Sequence, residues 1–341
     1  MCTPLSRSWA AAILLVLGLS AGNSALAQDA ALEAAAKKEG SLTLYHTMPS
    51  GDMEVVTKAF TKKYGIPVKA WRASSAQVLR RVVTEARAGN YAVDFIENNG
   101  PEMEALHREG LLAKVDSPTL AQVIPAALPP HGEWVGNTID VFVQAYNTDQ
   151  VKKEDLPKSY DDLLDPKWKG KLGIEATDMY WFATLGEKLG MEKTVDLFKH
   201  IVETNGISSR QGHSLLANLV ASGEVPFALT VLNYMVPQLQ KKGAPVDATL
   251  LSPSIAYFRG VGVTKNAQHP NAARLFYDFI EGETGQKLLV TRSKIPVLRD
   301  LDSGVLREQL VFVDPVKFLD NNIEWTRMFE DSVIRYNPAK R

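Results

Sequence analysis

Cysteine occurs once in the 341 residues, at Cys2. An internal disulfide is therefore excluded, and the fold must rest on its core alone. Charge of one sign is also missing: 38 Lys and Arg face 39 Asp and Glu, for a net charge of −1. No basic footprint exists for nucleic acid or an anionic membrane surface, so neither is expected as a partner. Long apolar runs are missing after the N-terminus, and the run Ala10–Leu19 has about half the twenty or so residues that a spanning helix needs. Enzyme signatures are missing as well. There is no G-x-S-x-G elbow, H-E-x-x-H, C-x-x-C or Walker loop, and the six histidines show no metal-ligand spacing. No nucleophile with a positioned base is proposed by any motif, so the chain is not expected to be an enzyme.

What is present begins with an export signal. Arg7, the apolar run and "SALAQDA", with its small-x-small pattern ending at Ala27, predict a cleaved signal peptide over residues 1–27. Cys2 lies ahead of the apolar run, not at the cleavage point, so lipid anchoring is not expected. The exported chain is long enough for two domains. "SLTLYHT" (41–47), "IPVKAWR" (66–72) and "AVDFIEN" (92–98) predict strands separated by helices, the order that builds a parallel sheet with helices on its faces. Ligands sit beyond the carboxyl ends of such strands. "WVGNTIDVFVQAY" (134–146) is a β-rich run long enough to leave one sheet and enter another. A second α/β unit follows, with strands at "GKLGIEA" and "VPFALTV" and helices between them. The β-rich pair "VDATLL" and "AYFRGVGV" is read as the return crossing, and the C-terminal helices are expected to pack on the first lobe.

Candidate site residues fall at strand ends, and each has a plain structural reading beside the functional one. Ser74 and Gln77 fit a capping box; the same helix start could offer Ser74 and Ser75 to a ligand, especially an anion. Asn98 and Asn99 are ordinary turn formers that would also supply amide groups. Glu97 is less certain, because strand alternation can turn it away. His46 ends the first strand. Asp178 is expected to cap a helix with Tyr180 and Trp181 in its first turn, as site or as packing aromatics. "SSRQGHS" (208–214) is read as a polar loop, with Arg210 as a ligand contact or a surface arginine. Asn233 and Tyr234 end another strand, facing the same cleft or the core.

Several stretches resemble a known family. "LTLYHT", "AFTKKYGIPVKAWRASSAQVLRRVVTEARAGNYAVDFIENN", "EWVGNTIDVFVQAYNTDQV", "YDDLLDPKWKGKLGI" and "ASGEVPFALTVLNY" are similar to the periplasmic solute-binding proteins of ABC importers. The branch is the one containing ferric-iron-binding proteins and relatives for thiamine, phosphonates and sugar phosphates. The resemblance implies a two-lobed α/β fold of the type with two crossing strands. Residues 28–138 with 255–341 would form one lobe and 139–254 the other. It also implies a periplasmic location, a permease of the inner membrane as partner, and a monomer. Ferric ion is implied as the transported ligand, with no resident cofactor. Iron proteins of the branch place two adjacent tyrosines where this chain has Asn233 and Tyr234, leaving Tyr234 as the metal ligand. Pro49 and Asn99 stand where a histidine and a carboxylate are common, with His46 and Glu97 displaced. Asp140 stands where several members have an arginine, and invites a cationic or amine-bearing ligand unless it makes a hinge-side hydrogen bond. A small organic anion or an amine is the alternative cargo. A receptor-coupled sensor or a secreted enzyme is the alternative role.

Overall fold

The computed structural model describes residues 29–301, 304 and 307–336; the expected signal peptide lies outside them. The first unit runs α1 (29–39), β1 (Leu42–His46), α2 (Ser50–Tyr64), β2 (Val68–Arg72), α3 (Ser75–Arg87), β3 (Phe95–Asn99) and α4 (Gly100–Arg108). β1 lies between β2 and β3, parallel to both. Met53, Val56 and Phe60 recur at helical spacing on α2 and are buried, which is how an amphipathic helix is held on a sheet.

The second unit runs β4 (Val135–Asn147), β5 (Leu172–Glu175), α5 (Met179–Leu189), α6 (Met191–Asn205), β6 (Ile207–Arg210), α7 (His213–Ser222), β7 (Phe227–Leu232), α8 (Met235–Gln240) and β8 (Val246–Thr249). The chain returns through β9 (Ser254–Val263). It ends in α9 (Pro270–Glu281), α10 (Glu283–Thr291), β10 (Ile295–Pro296), β11 (Leu310–Phe312) and α11 (Pro315–Phe329).

β4 belongs to two sheets. Val135–Val141 pair antiparallel with β9, and from Phe142 onward the strand pairs with β7 and β8. The first sheet therefore reads β2-β1-β3-β9-β4 and the second continues β4-β7-β5-β6. All thirteen β4 residues are buried, as expected of a strand covered on both faces. Gly136 and Gly260 face each other across the β4–β9 pair. A Cβ on Gly260 would come within 2.8 Å of Trp134 and 2.9 Å of Met103, so this close packing requires glycine.

Two expectations are corrected. Residues 208–210 form strand β6, pairing in parallel with Gly173–Glu175, where a polar loop was predicted; the backbone ladder can be satisfied by residues whose side chains face solvent at a sheet edge. The last helix, α11, does not rest on the first lobe alone. Arg108 of α4 meets Asp320 at 2.8 Å, while Phe318 packs on Tyr180 and Phe329 on Phe182, both of α5.

Candidate functional site

The carboxyl ends of β1 and β3 bring Thr47, Met48 and Glu97 together. Glu97 is fully buried. Its Oε2 accepts from the Thr47 and Met48 N–H groups at 2.8 and 2.9 Å, and its Oε1 accepts from Arg259 Nε at 2.6 Å. Burial would push this carboxyl upward, but the Arg259 guanidinium overcomes that and holds it at about 2. Arg259 projects from β9, contacts the Thr47 hydroxyl, and donates from Nη1 to Asp140 Oδ2 on β4 at 3.0 Å. The Tyr257 hydroxyl donates to the same oxygen at 3.2 Å. The cation that Asp140 was expected to draw from a ligand is thus supplied by the chain.

A second cation stands on the far side of Asp140. Lys294 precedes β10, with Nζ 3.8 Å from Asp140 Oδ1 and 3.9 Å from Asp52 Oδ2. It lies 2.9 Å from the centre of the Tyr234 ring, a cation–π contact. Burial pushes the ammonium down to about 8, against the pull of Asp140. Burial, with Asp140 beside it, raises the Tyr234 phenol well above its ordinary range. Asp52, in the first turn of α2, also accepts from Arg292 Nε at 2.7 Å and from Gln238 of α8 at 3.2 Å. Gln238 donates as well to the Arg292 carbonyl at 2.9 Å.

The boundary between the two sheets carries another direct bond. Asn99, the residue before α4, donates from Nδ2 to the Tyr180 hydroxyl at 3.0 Å, and Tyr180 packs on Tyr257. Asn98 is turned the other way, donating to the Ser75 carbonyl at 3.1 Å and accepting from the Asn99 N–H at 2.9 Å. Ser75 therefore reaches this region through its backbone. Ser74 is exposed, and both its N–H and its hydroxyl donate to Gln77 Oε1, at 3.1 and 2.9 Å, as a helix-start residue does.

The remaining predicted residues are dispersed. His46 is buried, with Nδ1 3.0 Å from the Met48 carbonyl, and burial lowers its pKa; it borders a groove of about 710 Å³ between α2 and β2 rather than the region of Tyr234. Trp181 is core, packed on Phe198 and Tyr160 within the second lobe. Arg210, expected as a ligand contact or a surface arginine, pairs with Glu224 at 3.3 Å within the second unit. Asn233 continues the ladder to β4: its Oδ1 accepts from the Val141 N–H, and its own N–H donates to the Val141 carbonyl, both at 2.9 Å. Asp178 makes no side-chain cap bond to α5 and instead faces His213 at 3.1 Å.

Sequence reasoning missed Arg259, Lys294 and Asp52. Arg259 had a legible signal, being the lone charge in the apolar run "AYFRGVGV". Lys294 in "RSKIP" and Asp52 in "SGDME" had none, because lysines and first-turn aspartates are ordinary at surfaces.

Residues 93–322 match the family model described as "Bacterial extracellular solute-binding protein". The chain is 26% identical over 296 residues to the Fe(3+)-binding periplasmic protein of Serratia marcescens, covering 79% of this chain and 86% of that one. Iron-bound HitA from Pseudomonas aeruginosa superposes with a TM-score of 0.75 at 26% identity, over 84% of this chain and 98% of that one. AfuA from Actinobacillus pleuropneumoniae, solved with exogenous fructose-6-phosphate, shares the two-lobed fold with a TM-score of 0.76 at 22% identity, over 86% and 99%.

Proposed function

The chain belongs to the bacterial extracellular solute-binding protein family, and on that premise we propose that it captures ferric ion between its lobes in the periplasm and delivers it to the permease of an ABC importer. Closure on a hinge lets cargo touch both lobes at once. Binding then shifts the open–closed balance by its differential affinity for the closed form.

The observation that carries the ferric reading is the position of the Lys294 ammonium. A positive charge lies over the ring of Tyr234 and beside two carboxylates, Asp52 and Asp140. The carboxylate and phenol oxygens are hard donors of the kind ferric ion takes, with Asp140 and Asp52 also paired to Arg259 and Arg292. Lys294 holds the cation's place and must move aside when cargo enters. Support also comes from Fe(3+) in the name of the Serratia relative and from the iron bound by HitA in its structure. Adding ferric citrate to apoprotein should produce a visible phenolate-to-iron band that Tyr234→Phe removes. Absence of that band, together with an unchanged melting temperature, would reject ferric ion.

A second reading is favoured by one feature of the same residue. Lys294 Nζ makes no hydrogen bond among the described residues, its carboxylate neighbours standing 3.8 and 3.9 Å off, and an ammonium with its donors free can receive a small organic anion. In that reading Lys294 stays in place and binds cargo itself.

A further inference from the structure

Three side chains of the second lobe meet at strand and helix ends. Glu175 closes β5, Asp178 stands immediately before α5, and His213 opens α7. One ligating atom from each lies within 4.8 Å of the other two. His213 Nε2 and Asp178 Oδ1 are 3.1 Å apart. Yet neither Asp178 oxygen nor the His213 nitrogen makes a well-aligned hydrogen bond among the described residues. Asp178 is only 1% exposed, so its carboxylate is buried with the His213 ring as its counter-charge, and a cation held between the two would compensate it more fully. Glu175 is firmly oriented: Oε2 accepts from the Thr177 N–H and hydroxyl at 2.6 and 2.7 Å, and Oε1 accepts from the Gly212 N–H at 2.8 Å.

We propose that Glu175, Asp178 and His213 form a binding site for a divalent transition-metal ion, distinct from the Tyr234–Lys294 region. Two carboxylates and a neutral imidazole balance a dication. In a tetrahedral site with bonds of about 2.0–2.1 Å, neighbouring donors stand about 3.3 Å apart, close to the His213–Asp178 separation. The bonds from Thr177 and Gly212 are the outer support that ligating carboxylates commonly have. Three protein ligands leave the fourth position to water, and the partly exposed His213 side chain gives the ion a way in.

A second cluster, Glu104, His107 and His131, makes an instructive contrast. There the Glu133 N–H donates to His131 Nδ1 at 3.0 Å, which leaves Nε2 to carry the ring proton toward Glu104 at 3.2 Å. Glu104 also accepts from Trp134, and His107 Nδ1 lies 2.7 Å from Glu133. These atoms are already engaged with one another, so the cluster is a hydrogen-bonded network rather than a metal site.

The test is equilibrium dialysis of the chelator-stripped full chain against Zn²⁺ alone, with bound metal counted by mass spectrometry. One Zn²⁺ per chain is expected. His213→Ala and Asp178→Asn should each bind roughly tenfold more weakly or worse, as loss of a metal contact does, while His107→Ala should bind as the wild type does. Because a variant could fail to fold, Co²⁺ should also be added to the unaltered chain, where the strong visible absorption of a four-coordinate site is expected. The proposal is overturned by no Zn²⁺ on the wild type, by undiminished binding in both His213→Ala and Asp178→Asn, or by a Co²⁺ spectrum unchanged from the aqueous ion. Failure of ferric loading at Tyr234 would leave all these outcomes unaltered.

Discussion

The Lys294 ammonium and the Tyr234 ring are joined at 2.9 Å although one precedes β10 and the other ends β7. An internal cation thereby covers the phenol that would bind ferric ion. Lys294→Met should uncover Tyr234, leave Asp52 and Asp140 with one cation fewer, and raise ferric affinity by roughly tenfold, about 1.4 kcal/mol. An organic anion that uses the ammonium would instead bind more weakly to this variant. Titration of Lys294→Met with ferric citrate and with a sugar phosphate separates the two cargoes by the sign of the change.

Asn99 and Tyr180 join the lobes by a buried hydrogen bond, 3.0 Å long, beside the one that Gln238 makes to Asp52. Tyr180→Phe removes the acceptor and leaves a buried amide unsatisfied, at a cost of about 1–3 kcal/mol. That cost is felt only where the lobes touch. The open form should become more populated, seen as a larger radius of gyration in X-ray scattering of the unliganded variant. An unchanged radius would deny this bond a part in closure.

Arg259 neutralises two fully buried carboxylates, Glu97 and Asp140. Arg259→Met should destabilise the protein by about 3–5 kcal/mol, because it strands both charges. Adding Glu97→Gln and Asp140→Asn to that variant should recover a substantial part of the loss. Urea midpoints of the single and triple variants are the measurement.

Burial at the start of α4 raises the Glu102 carboxyl from 4.5 to about 7. Well below pH 4.5 the group is protonated in both folded and unfolded chains, so it carries no penalty. As pH rises from 4.5 to about 7 the unfolded chain ionises while the folded one resists, and stability is lost across that window. Glu102→Gln should therefore stabilise the protein above about pH 8 by up to roughly 3 kcal/mol, and change little near pH 4. Thermal unfolding of both proteins across that range tests the sign.

Much of the scaffold could be read from residue order. The thirteen-residue span of β4 is too long for one sheet of this size, and its apolar content announces burial on both faces. β6 was hidden because "ISSR" carries no apolar pattern; its strand character comes from backbone pairing with β5. The same double-sided burial misled the alternation argument at Glu97. In β3 all five residues are buried, so alternation does not send Glu97 to solvent. Lys294 and Asp52 approach each other from opposite ends of the chain, and no local pattern records such a meeting. Trp181 shows the converse. An aromatic one residue from a true interlobe contact was read as its equal, but helical rotation turns it into the core of the second lobe.

Asp140 and Arg259 are borne by the two strands that also join the lobes. Main chain that passes between the two sheets thus carries the charges that fix the geometry of the crossing. A substitution at Asp140 or Arg259 therefore disturbs the joint between the lobes and the surroundings of Lys294 together.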